Sequence, residues 1–137
     1  MLSMNLRMAG ILILALAAVY PTYSRRFGWR EELQHVSMLT RNIFHVHCGF
    51  IVLSLGFQGI LLAIFPNAVL ERSAAAIALL IGLAAFWLYR LIAQWFMFDR
   101  RLWVGQPFNS LVHVLFTAFW TYLSAVCTWG LWNQFAT

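Results

Sequence analysis

The sequence has no lysine and only four acidic residues, Glu31, Glu32, Glu71 and Asp99, so its nine arginines leave a formal charge of +5. Charged residues make up 9% of the chain, against about 25% in an ordinary soluble domain, which excludes a water-soluble fold. Two cysteines, Cys48 and Cys127, are too few for a disulfide framework or a metal finger. There is no HExxH, no GxSxG and no glycine-rich phosphate loop. Cys48 follows His47 directly and is therefore about 100° away from it on a helix, which leaves no thiol and imidazole pair for nucleophilic catalysis. A nucleic-acid partner is not expected either, because most arginines flank apolar runs instead of forming a folded basic surface.

What remains is apolar: 63% of residues are hydrophobic and 17% aromatic, with 12 Phe and 7 Trp. Four runs are long enough to cross a hydrocarbon core of about 30 Å, which takes about 20 helical residues. They predict helices over about 4–23, 43–65, 73–98 and 108–132. Backbone groups in lipid must be satisfied within helices or closed barrels, and the runs lack the alternation of barrel strands. The first run resembles a signal-peptide core in length, but with Arg7 snorkelling to the interface it reads as a true span.

The connections are short. Pro66-Asn67 predicts a tight turn, Ser73 an N-cap, and Gly105 with Pro107 a break before the last helix. The expected architecture is all-α: a single membrane domain over 1–137 forming a four-transmembrane-helix bundle with up-down topology and both termini on the same side. Arg25, Arg26, Arg30, Arg41, Arg100 and Arg101 fall in the connections of one face, and Arg7 and Arg72 on the other. The arginine-rich loops are therefore expected to be cytoplasmic, in an inner membrane, with the termini outside.

The segment 30–42 is too polar for hydrocarbon, yet its apolar residues recur at helical spacing, which predicts an interfacial extension of the second helix from about residue 30. On a continuous helix Glu31, His35, Met38, Asn42, His45 and Gly49 would form one stripe, continued by Gly56 and Gly59.

The histidines carry most of the chemical information. His45 and His47 enter with the second helix and His113 with the fourth, from the same predicted face. Arg90 and Gln94 lie one turn apart on the third helix, and ionisable groups inside a span usually face the bundle interior and mark function. His45 and His47 are about 200° apart on a helix, so both cannot serve one metal.

The first functional expectation is a small membrane subunit binding b-type haem for electron transfer within a larger complex. His45 and His113 would be axial ligands, Arg90 would pair with a propionate, Gln94 or Asn109 would hydrogen-bond an imidazole, and His35 or His47 would be an alternative ligand or proton carrier. A second is a non-catalytic accessory subunit with no cofactor, in contact with the bilayer and other membrane subunits. In it Arg90 and Gln94 hold a quinone or a lipid headgroup, and Gly10, Gly49, Gly56, Gly59 and Gly82 give smooth packing faces. A third is a non-haem transition-metal site on His35, His45 and His113, with Glu31, Glu32 or Asp99 nearby, in a membrane oxidoreductase. Trp29, Trp103, Trp129 and Trp132 read as interfacial belt residues.

Overall fold

The computed structural model describes residues 1–136, the side chain of Ser24 excepted. The chain is 87% helical, and no strand occurs among the described residues. The helices are α1 (Leu2–Arg26), α2 (Trp29–Glu32), α3 (Met38–Ile64), α4 (Pro66–Leu70), α5 (Ala74–Phe96) and α6 (Pro107–Phe135), with 3₁₀ turns at Leu33–His35 and Arg100–Leu102. Four of them are long and apolar enough to cross a membrane: Leu2–Tyr23 within α1, and the whole of α3, α5 and α6. Their exposed apolar faces are compatible with contact to a lipid bilayer.

Local chemistry sets the boundaries. The Ser73 hydroxyl accepts from the Ala76 amide at 3.2 Å and starts α5 as expected, satisfying one of the orphan donors of the first turn. Gly105 adopts a left-handed φ of 81°, which is open to glycine at little cost, and Pro107 occupies the first turn of α6, where its missing N–H is not needed. Pro66-Asn67 opens the short helix α4, where a bare turn was expected.

One expectation is corrected. The second spanning helix does not extend back to residue 30, because Val36 (φ −104°, ψ 162°) and Ser37 (φ −58°, ψ 153°) are extended. Ser37 Oγ accepts from the Thr40 amide at 3.2 Å and so begins a new helix. Arg41 Nε donates to the Leu33 carbonyl at 2.9 Å, closing off the preceding turn. Glu31 and His35 therefore lie beyond a break, and the stripe on α3 begins at Met38.

The chain divides into two compact units, Arg7–Phe65 and a second that contains Met1–Leu6 with the chain from Pro66 onward. In the unit Arg7–Phe65, α1 and α3 run antiparallel. Gly10 lies against Gly59 and Ala63 at one end, and the Tyr20 hydroxyl meets Cys48 Sγ at 3.7 Å towards the other. A Cβ on Gly10 would fall 2.8 Å from the Gly59 carbonyl oxygen and nearer still to the Ala63 nitrogen. Glycine is needed there because any side chain would hold the two helix backbones apart. Tyr20, Tyr23, Phe27, Trp29 and Phe44 form an aromatic cluster beside α2, with Phe27 stacked on Trp29 and the other pairs edge-on or tilted.

In the other unit α5 and α6 form an antiparallel hairpin. Its contacts run from Leu80 against Gly130, through Trp87 stacked on Trp120 (5.5 Å between centroids, 16° between planes), to Gln94 against His113. Leu80, Trp87, Leu123 and Cys127 are buried. Further hydrogen bonds tie the unit's ends: Gln134 Nε2 to the Val69 carbonyl (3.2 Å), Arg72 to the Ala136 carbonyl (3.1 Å) and the Tyr122 hydroxyl to the Asn5 carbonyl (3.2 Å). Both cysteines are free thiols.

Candidate functional site

The sequence-predicted residues that come together are Arg90, Gln94 and His113. Arg90 and Gln94 are four apart on α5 and so lie on one face. Antiparallel pairing brings His113, near the start of α6, level with them. Arg90 NH1 donates to Gln94 Oε1 at 3.1 Å, and Gln94 Nε2 meets His113 Nδ1 at 2.7 Å. Gln94 is 6% exposed, and Arg90 and His113 are half-buried.

The direction of this chain follows from its first member. A guanidinium has donors only, so the Gln94 oxygen must face Arg90, and the amide nitrogen is left to face the imidazole. Nδ1 of His113 therefore accepts, and the neutral ring carries its proton on Nε2. A doubly protonated ring would set two donors against each other at 2.7 Å. Turning the amide over would do the same at Arg90.

Aromatic rings hold these groups in place. The Arg90 guanidinium lies 4.7 Å from the centroid of the Trp120 ring and 5.7 Å from that of Phe98, an arrangement favoured by the ring quadrupole and stronger away from water. Trp103 stacks on the His113 imidazole at 4.0 Å and 14°. Trp103 comes from the connection between α5 and α6, where its carbonyl accepts from Ser110 Oγ at 2.7 Å. It is the residue that sequence reasoning missed: its position near a span end suggested only a belt role. The left-handed Gly105 followed by Pro107 is the signal that the connection turns sharply beside His113.

Asn109, a second candidate partner for an imidazole, has a different task. Its Nδ2 donates to the Leu102 carbonyl at 3.0 Å and meets Gln106 Oε1, pinning the connection.

The remaining histidines lie in the unit Arg7–Phe65. His47 Nδ1 is 2.8 Å from the carbonyl of Ile43. A carbonyl only accepts, so Nδ1 carries a proton, which in a neutral ring leaves the lone pair on Nε2, as in a metal-ligating imidazole. His45 is exposed, edge-on to Phe44 (6.1 Å, 75°). His35 ends the 3₁₀ turn before the Val36–Ser37 break and is exposed. Among the described residues no group of three or more His, Cys, Asp or Glu side chains is placed to hold a metal ion. His35, one of the three expected ligands, is separated from His45 by the Val36–Ser37 break. Asp99 is engaged elsewhere: its carboxylate accepts from the Arg101 amide at 2.9 Å.

Chemically, the α5–α6 cluster is rich in donors. It contains a guanidinium and, in the neutral ring with Nδ1 accepting, an imidazole Nε2–H. Such a set recognises an oxygen acceptor. Comparison of the chain with protein-family models, curated proteins and solved structures finds no match.

Proposed function

We propose that the chain is a small subunit of a larger inner-membrane assembly, and that its α5–α6 hairpin binds an amphiphile through an acceptor oxygen, either a quinone carbonyl or the phosphate or carboxylate of a lipid headgroup. Its long helices form an up-down bundle with the arginine-rich connections in the cytoplasm and both termini outside. The observation that carries the ligand assignment is the polarity of the Arg90–Gln94–His113 chain, which leaves the imidazole as a donor. The ligand takes the Nε2–H of His113 and the charge of Arg90, and Trp103 and Trp120 keep both groups from swinging away.

The haem reading has one specific observation in its favour. His47, with Nδ1–H on a backbone carbonyl, has a bare Nε2 suited to iron. To serve as a ligand His113 would need the Gln94 amide turned over, with Oε1 accepting from Nδ1–H and Arg90 released to pair with a propionate. Haem would then supply one-electron transfer. His45 is the other ligand candidate of that reading.

One experiment separates the two. The gently solubilised protein is examined by native mass spectrometry for retained amphiphiles, and by absorption in oxidised and reduced states. Retention of a quinone or an anionic lipid, lost in His113→Ala, with no reduction-sensitive Soret band, is the expected result. A stoichiometric Soret band that shifts on reduction and disappears in His47→Ala would overturn the acceptor reading in favour of haem.

A further inference from the structure

We infer that the acceptor ligand of this hairpin is a quinone, whose carbonyl reaches past Arg90 to a deeper set of donors; this rests on the acceptor-ligand reading above. Three buried polar atoms lie beyond Arg90 without a hydrogen-bond partner among the described residues: Trp87 Nε1, Trp120 Nε1 and Ser124 Oγ. Their residues are 1%, 4% and 4% exposed. They continue the same cluster. The Arg90 guanidinium lies over Trp120, Trp87 stacks on Trp120 (16° between planes), and Ser124 is one turn further along α6.

Buried indole N–H groups ordinarily find partners, and in a membrane interior no bulk water compensates for a missing one. Trp87 lies about 10 Å from Gln94 along α5, at 1.5 Å per residue, close to the middle of that span. This depth selects the ligand. A phosphate or carboxylate carried past Arg90 to the indole N–H groups would leave that cation behind and exchange its hydration for neutral donors, whereas a headgroup held at Arg90 itself would not reach them. A quinone is uncharged, dissolves in the bilayer, and offers acceptor oxygens on opposite edges of one ring. One carbonyl meets the indole N–H groups and the Ser124 hydroxyl, and the other takes the Nε2–H of His113 beside the Arg90 charge. The Trp87, Trp120 and Phe116 rings stack on one another, so they present edges to the ligand, and recognition is by hydrogen bonding at those edges.

The test uses the full chain in detergent, with a short-chain decyl benzoquinone measured by equilibrium dialysis and dioleoylphosphatidylglycerol measured by native mass spectrometry. Trp87→Phe and Trp120→Phe keep a ring and remove the N–H. Each is expected to weaken quinone binding roughly five- to tenfold, the worth of one buried hydrogen bond, and Trp87→Phe, which does not touch Arg90, to leave phospholipid retention unchanged. Ser124→Ala, which disturbs no ring, is expected to weaken it in the same direction and serves if either tryptophan variant fails to fold. Quinone binding that is equally strong in the folded variants would overturn the inference and leave the acceptor-ligand reading standing. Binding of the phospholipid alone would overturn it in favour of a headgroup. If the wild-type protein binds neither probe, both are overturned.

Discussion

Gln94→Leu is expected to remove ligand binding at the α5–α6 hairpin and to destabilise it. The amide is the one group bonded to both Arg90 and His113, and leucine matches its bulk without its polarity. His113 Nδ1 loses its donor and Arg90 loses an acceptor, at about 1–3 kcal/mol for a buried polar group left unmatched. With Nδ1 released, the imidazole is free to exchange tautomers, so affinity for an acceptor ligand should fall tenfold or more. Gln94→Glu separates binding from stability. A carboxylate accepts from both neighbours, so the hairpin should remain as stable as the wild type. Nδ1 of His113 must then carry a proton, and in the neutral ring the outward nitrogen turns from donor to acceptor, so acceptor ligands should be lost from this variant while the ring is neutral. Thermal unfolding in detergent, read beside dialysis of the benzoquinone, checks both variants. Wild-type affinity in Gln94→Glu with a neutral His113 ring, read from its ¹⁵N signals, would show that the polarity of the chain is irrelevant to binding.

Gly10→Ala is expected to be among the most damaging single-methyl changes in the chain. The new Cβ meets only backbone, at Ala63, Gly59 and Leu62, with the Gly59 oxygen 2.8 Å away. No rotamer change relieves such a contact, so α1 and α3 must separate. Overpacking of this kind costs about 1–3 kcal/mol, and the loss extends along the helix pair because neighbouring contacts open with it. Gly49→Ala and Gly56→Ala are the controls. A Cβ at either position meets nothing within 4 Å, and the better helix propensity of alanine should leave both variants as stable as the wild type or slightly more so. Detergent-induced unfolding of the three variants measures the difference directly. Equal midpoints would refute the close crossing of α1 and α3.

These residues also mark what the sequence could reveal. The long helices were legible because hydrocarbon thickness sets a length and lipid forbids unpaired backbone. Ser73, Gly105 and Pro107 were legible because their chemistry acts locally. The break at Val36–Ser37 was not, since the apolar spacing of Leu33, Val36 and Leu39 continues through it. A serine cap and a reach by Arg41 decide that point, and both depend on the folded connection. Arg90 and Gln94 could be paired from their spacing alone, and His113 could be placed near them only by assuming antiparallel neighbours. The direction of the hydrogen bonds was beyond the sequence, because it depends on which amide atom faces the guanidinium. The same holds for Trp103, whose stacking on His113 follows from a turn three-dimensional in origin. Glycine spacing, in turn, drew Gly49, Gly56 and Gly59 into one stripe, yet only Gly59 meets its partner helix closely.

The most direct test is the protonation state of the His113 ring nitrogens, measured by ¹⁵N NMR on ring-labelled protein in lipid bilayers, with His113→Ala to assign the signal. A neutral ring with its proton on Nε2 and a bare, hydrogen-bonded Nδ1 is predicted, and that signal should change in Gln94→Glu. A proton on Nδ1 with Nε2 bare would contradict the donor site and return His113 to the role of a metal or haem ligand.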